Sequence, residues 1–136
     1  MKLLMVLLLA FTFTVARAQL EVVVKGIKSD KGNIRVGIFK DKGTFLKKAA
    51  YGKVVRSRSG ETIAIFDDLP PGRYAISVIH DENENGELDS GVFGIPREGF
   101  GFGNDAMGTF GPPSFEKASI AVEHGKMSIS VTLRYL

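Results

Sequence analysis

Met127-Ser128-Ile129-Ser130-Val131-Thr132-Leu133-Arg134-Tyr135 decides the fold class. Apolar and polar residues alternate without a fault from Met127 to Tyr135, the period of a strand with one face buried and one in water. Just before it, Ala118-Ser119-Ile120-Ala121-Val122 reads as another strand, and Glu123-His124-Gly125-Lys126 as the turn between them. The same grammar runs back through the chain. Leu20 to Ile27 is β-branched and half alternating. Ser29-Asp30-Lys31-Gly32 is a turn cluster. Asn33 to Phe39 places Ile34, Val36 and Ile38 on one face, so the first two strands read as a hairpin. Lys53-Val54-Val55-Arg56 is a short basic strand, Thr62 to Phe66 the next. Arg73 to His80 sets Tyr74, Ile76, Val78 and His80 on one face. About seven short strands separated by turn signals predict an all-β fold, a single antiparallel β-sandwich.

The first 18 residues stand apart. Met1-Lys2 is a short basic start, Leu3 to Val15 is apolar apart from Thr12 and Thr14, and Ala16-Arg17-Ala18 has the small-x-small form of a cleavage site. This is the layout of a secretory signal peptide, and the apolar run is shorter than the ~20 residues of a spanning helix. The expectation is a signal over 1–18, a β-sandwich domain over 19–136, and an exported, periplasmic or extracellular protein without a transmembrane segment. Lys2 and Arg17 belong to the leader, which leaves 16 basic against 15 acidic side chains, a net of +1. That balance gives no electrostatic case for nucleic acid. Export into an oxidising space often goes with disulfides, yet the chain has no Cys. Without a Cys after the cleavage site no bacterial lipid anchor is expected either.

Two segments break the strand period. Asp41 to Gly52 reads as a crossing loop on the sandwich edge, with one or two helical turns from Thr44 to Ala50. Gly91 to Phe115 interleaves seven glycines with Phe93, Phe100, Phe102, Phe110 and Phe115. A disordered linker would not carry so many aromatics. A loop this long is expected to be ordered around its own Phe core, or to serve as a groove for a peptide or hydrophobic ligand.

The strongest chemical signal is His80-Asp81-Glu82-Asn83-Glu84-Asn85-Gly86-Glu87-Leu88-Asp89. Oxygen-bearing side chains recur at Asp81, Asn83, Asn85, Glu87 and Asp89, and Gly86 follows the third. A calcium loop opens in this way, with ligands at positions 1, 3 and 5 and a turning Gly at 6. Position 12 is Val92, where the calcium loop has its bidentate Glu, so the match is incomplete. The candidate metal ligands are Asp81, Asn83, Asn85, Glu87 (through its backbone carbonyl) and Asp89, with Glu98 or Asp105 to complete the set. The expected cofactor is Ca2+, bound weakly, at ~10⁻⁴–10⁻³ M as in extracellular modules. The alternative is a solvated acidic turn bent at Asn85-Gly86.

No catalytic constellation is evident. There is no Cys nucleophile and no Gly-x-Ser-x-Gly elbow. His80 at a strand end reads as a packing residue, and His124 as an exposed turn residue. Gly99-Phe100-Gly101-Phe102-Gly103 lacks the Lys-Ser/Thr of a phosphate loop. The absence of Trp weakens sugar stacking.

Leu69-Pro70-Pro71-Gly72-Arg73-Tyr74-Ala75-Ile76-Ser77-Val78 resembles the Leu-Pro-x-Gly-x-Tyr-x-Val strand opening of transthyretin-like, Ig-like sandwiches. A wider likeness runs from Val24 to Phe39, through His80 to Asp89, then Phe93-Gly94-Ile95-Pro96 with Glu98 to Phe102, and Phe110-Gly111-Pro112-Pro113-Ser114-Phe115. On these motifs the chain resembles the bacterial exported family catalogued as domain of unknown function 2141, over essentially all of residues 19–136. The resemblance implies a transthyretin-like sandwich and export, and brings no established activity. The expected function is that of a secreted binding or structural module with an unidentified protein, peptide or glycan ligand. The alternatives are a carbohydrate- or peptide-binding module, or a hydrolase, since the transthyretin fold also hosts a hydrolase of 5-hydroxyisourate. That enzyme family ends in Tyr-Arg-Gly-Ser, whereas this chain ends Leu133-Arg134-Tyr135-Leu136.

Overall fold

A computed structural model describes residues 8–13 and 17–136. Of the expected leader over 1–18, residues 1–7 and 14–16 lie outside the described residues. Its end does not: Ala18 is buried, opens the first strand, and lies opposite both Leu69 and Gly125. The strands are β1 (Ala18–Ile27), β2 (Asn33–Phe39), β3 (Tyr51–Arg56), β4 (Gly60–Leu69), β5 (Gly72–Asp81), β6 (Phe100–Phe102), β7 (Ser119–Val122) and β8 (Gly125–Thr132). They form two sheets. One has the order β4-β1-β8. The other has the order β3-β2-β5, with β7 and β6 paired to successive halves of the far side of β5. Among the described residues no helix is long and apolar enough to cross a membrane.

The all-β sandwich stands as expected, with eight strands and three corrections. First, β1 and β2 are not a hairpin. Each buries every second side chain completely (Leu20, Val22 and Val24 on β1; Ile34 and Ile38 on β2), and these two apolar stripes face each other across the core. The Ser29–Gly32 turn therefore carries the chain from one sheet to the other. Second, the sandwich is not purely antiparallel, because β8 runs parallel to β1 along its whole length. The intact alternation from Met127 sets which face is buried and says nothing of direction.

The third correction concerns the irregular segments. Most of β5 is buried on both faces, from Tyr74 to Val78. Its inner face meets the main core. Its outer face is covered by a second cluster of Phe39, Ala75, Phe100, Phe102 and Ala118, with Phe45, Leu88, Met107 and Phe115 packed against it. Phe100 and Phe102 are thus strand residues of β6 rather than the core of a loop. Phe45 belongs to the one turn of the Asp41–Gly52 segment, fixed by Lys47 and Lys48 N–H donating to the Thr44 carbonyl. Its ring meets those of Phe39 and Phe115 edge-on, at 5.4 and 5.9 Å between centroids. This segment covers the face of the larger sheet instead of its edge. Phe93 and Phe110 take no part and are 95% and 101% exposed.

Gly101 makes this arrangement possible. It pairs with Val78, and a Cβ placed on it would lie 2.7 Å from Val131 Cγ1 and 2.9 Å from the Thr132 carbonyl. Only a residue without a side chain lets β6 approach β8 so closely. Gly101→Ala is expected to destabilise the fold by about 1–3 kcal/mol, the usual result of overpacking. Gly43→Ala, whose nearest neighbour would be Asp41 Oδ1 at 3.5 Å, is expected to leave the denaturant midpoint unchanged.

Candidate functional site

β5 ends by driving two polar side chains, His80 and Asp81, to 0% exposure. Each must find partners inside the protein, since an unsatisfied buried polar group costs about 1–3 kcal/mol. His80 Nε2 lies 2.6 Å from the Lys31 carbonyl, which only accepts, so Nε2 carries the proton. His80 Nδ1 then accepts from the Tyr135 hydroxyl at 2.7 Å, and that hydroxyl accepts from Lys28 N–H at 3.2 Å. Ser57 Oγ is 3.1 Å from Nε2, but it donates to the Ser29 carbonyl at 2.7 Å and is itself buried. A ring nitrogen that is already a donor cannot take the Ser57 proton. The Ser57–His80–Tyr135 array is a satisfied structural network that ties β5, the Ser29–Gly32 turn and the chain after β8 together. Burial first, and the Glu82 charge further, push the Tyr135 hydroxyl pKa above its ordinary value, which keeps it a donor.

Asp81 is the root of the acidic loop. Its Oδ1 accepts from Asn85 N–H at 3.2 Å and its Oδ2 from Gly86 N–H at 2.8 Å. Gly86 has φ +80, the left-handed turn its position in the motif requires. Arg35 Nη1 stands 4.0 Å from Asp81 Oδ2 and supplies a counter-charge from the half-exposed side. Asn83 and Asn85 each turn back on the chain, their Oδ1 atoms accepting from Asn85 N–H and Glu87 N–H at 3.3 and 3.0 Å. Their amide nitrogens both reach Asp89, Asn83 Nδ2 to Oδ2 at 2.5 Å and Asn85 Nδ2 to Oδ1 at 2.7 Å. Four of the five expected ligand side chains thus join one hydrogen-bonded loop. Glu87 is exposed, and what enters the loop is its backbone N–H.

Of the two residues expected to complete the set, one touches the acidic loop. Glu98 is 4% exposed and accepts from Glu82 N–H through Oε2 at 2.6 Å and from Asp89 N–H through Oε1 at 3.0 Å. It clamps both ends of the acidic loop. Asp105 is elsewhere, its Oδ1 accepting from Thr132 N–H at 2.8 Å beside β8. Among the described residues no three His, Cys, Asp or Glu side chains gather as a metal cluster. Asp89 instead accepts from the two side-chain amides of Asn83 and Asn85, while Asp81 accepts from the backbone N–H groups of Asn85 and Gly86.

Beyond Asp89 a small hairpin projects. Arg97 N–H donates to the Asp89 carbonyl at 2.8 Å and Gly91 N–H to the Ile95 carbonyl at 2.7 Å. Its tip, Val92-Phe93-Gly94-Ile95, is exposed at all four residues, and Phe93 adopts φ +62. That left-handed conformation is unusual for a bulky residue. The sequence reading did not find the clamp role of Glu98, the partnership of Ser57 and Tyr135 with His80, or the exposed tip. Tyr135 in phase with the strand pattern was the one available signal. Ser57 lies 23 residues from His80 with nothing local to connect them.

Residues 22–130 match the family described as uncharacterized protein conserved in bacteria, domain of unknown function 2141. The chain belongs to that family. Neither a curated protein nor a solved structure matches it.

Glu98→Gln replaces one accepting oxygen by an amide that faces a backbone N–H. It is expected to cost about 1–3 kcal/mol in denaturant unfolding, with faster hydrogen exchange at Glu82 and Asp89. Asp89 is held below the ordinary carboxylate pKa by the Asn85 amide above all, then by Asn83 and the Arg97 charge. Its stabilising contribution is therefore complete above the unfolded value of 3.8 and is lost as pH falls through the lower folded value. Acid titration of the melting midpoint should show this loss, and Asp89→Asn should flatten it.

Proposed function

We propose that this protein is an exported β-sandwich module whose acidic loop binds a calcium ion, and whose neighbouring apolar tip is the contact element for a protein or peptide ligand. The observation that carries the reading is the convergence of Asp81, Asn83, Asn85 and Asp89 into one loop rooted in the core and clamped by Glu98. The ion would be held by these side chains, the Glu87 carbonyl and water. It would supply the positive charge that the Asn83 and Asn85 amides now offer to Asp89. The Asp89 backbone also opens the hairpin that ends in Phe93, so a fixed loop fixes the direction of the tip. Contiguous exposed apolar residues rimmed by polar ones are the usual mark of an interaction site.

The test is thermal. An ion that binds the folded loop alone stabilises by mass action, ~2.7 kcal/mol at a hundredfold excess over Kd. In a domain of this size each kcal/mol shifts the midpoint by roughly 2–8 °C. Millimolar calcium should raise the midpoint over chelator, and magnesium should raise it less, being smaller and stricter in geometry. Asp89→Ala should remove the difference while Glu84→Ala keeps it. Asp81 is unsuited to this test, because its burial makes any substitution a stability variant first. Superimposable melting curves in calcium and in chelator, from protein proved metal-free, would leave the stretch a self-bonded acidic turn.

A further inference from the structure

β8 is the margin of the smaller sheet and bonds to β1 alone. Gly125 N–H donates to the Arg17 carbonyl and Leu133 N–H to the Lys25 carbonyl, so the odd-numbered residues of this segment turn their backbone groups toward β1. In a parallel ladder each residue directs N–H and C=O to the same side, and the next residue directs them to the other. The even-numbered residues therefore face outward. Thr132 agrees, since its N–H is taken by Asp105 Oδ1. Lys126, Ser128 and Ser130 remain. Their side chains are exposed, and among the described residues their outward backbone groups have no partner.

Natural sheets blunt their margins with bulges, Pro and inward charges. The opposite margin of this sheet follows the rule: Lys53 Nζ covers the Ile65 carbonyl at 2.6 Å, and the β1–β4 register shifts at both ends. The β8 ladder has no register shift, the strand contains no Pro, and its open stretch carries a single cation, Lys126.

We propose that this margin is the pairing surface for a second copy of the chain, the two β8 strands running antiparallel about a two-fold axis at Ser128. In that register Ser128 faces Ser128 of the second copy, and Lys126 faces Ser130 on both sides. All three outward residues exchange both backbone groups. No cation stands opposite a cation, and each Lys126 arrives at the end where Asp105 of the other copy holds Thr132. Met127 and Ile129, half-buried at this margin, come opposite each other and lose their exposure. The neighbouring registers are poorer: an axis at Met127 sets Ser130 against His124 in the turn before β8, and an axis at Ile129 sets Lys126 against Thr132, whose N–H Asp105 already holds. The next registers out fail. An axis at Lys126 sets two lysines face to face. An axis at Ser130 sets Lys126 against Arg134 and asks Thr132 for an N–H that Asp105 already holds. The length of the strand, the charge pattern and the Asp105 cap favour the pairing about Ser128, and none of this depends on the acidic loop.

An edge of five residues makes a small interface, at the weak end of specific association. The experiment is sedimentation equilibrium of the purified protein over a wide concentration range, with hydrogen exchange read at Ser128 and Ser130. The expected result is a monomer–dimer equilibrium in which both amides become protected as concentration rises. Ser128→Pro removes an N–H that makes no internal bond, a substitution that marginal strands accept. It should keep the melting midpoint and weaken dimerisation at least tenfold. Ser128→Lys keeps the N–H, sets two cations on the axis, and should weaken it similarly, which covers the case that the proline variant misfolds. A wild-type monomer with freely exchanging edge amides at every concentration overturns the proposal, as does a dimer that both variants leave intact. Edge amides that become protected only when a different polypeptide is added overturn it in favour of a foreign strand.

Discussion

Everything at one end of the sandwich answers to the burial of His80 and Asp81. A strand that alternates in and out would normally end in water, but β5 runs on until both side chains are out of reach of solvent. Polar groups in that position are tolerated only with full sets of partners. The partners come from four places: the Ser29–Gly32 turn with Ser57 behind it, the chain after β8, Arg35 on β2, and the acidic loop itself. All of them but β2 are irregular. The polar partners they carry help to hold them against β5. The close seating of Gly32, whose φ is +73 and whose missing Cβ leaves room for the Asp81 and Glu82 backbone, belongs to the same constraint.

Glu98 extends that constraint outward. By accepting from Glu82 N–H and Asp89 N–H it closes the acidic loop as a ring, with strand β5 on one side and the Phe93 hairpin on the other. Just past it, Phe100 pairs with both Ile79 and Arg134, so the clamp is itself anchored where the two sheets meet. A change in the loop therefore has two directions in which to travel. Toward the core it meets satisfied hydrogen bonds and close packing. Toward solvent it meets a hairpin held by a few backbone bonds. Local opening concentrates where buried apolar contacts are few, which makes the hairpin tip the part that responds.

The sequence was most legible where one periodicity governed. Strand positions, the inward residues of β2, β5 and β8, and the members of the acidic loop all follow from alternation or motif spacing. Pairing was less legible, because a buried stripe such as Leu20, Val22 and Val24 fits either sheet. Which neighbour β1 takes depends on a sandwich-wide fit no local window contains. The Phe residues show the same limit. Composition marked Phe100, Phe102, Phe93 and Phe110 alike. The first two are buried because Gly101 lets their strand lie against Val131, and the last two are exposed because nothing packs over their turns. The Asp105 and Glu98 alternatives could not be ranked either, since their distance from the loop is set by β6 and its bridge to Arg134.

The same hydrogen bonds that assemble the acidic loop also limit any ion it takes. Both Glu98 oxygens already accept backbone N–H groups, and so do both Asp81 oxygens, with the Arg35 cation close by. Asp89 is the carboxylate whose partners, the Asn83 and Asn85 amides, can turn away at little cost. A cation entering the loop would thus meet one readily available full negative charge, two amide oxygens and a carbonyl, and would share Asp81 with the fold. Affinity for calcium rises with ligand charge and site rigidity. Here available charge is low, because the fold has claimed the rest. Any ion the loop took would therefore be held weakly, because most of its carboxylate charge already serves the fold.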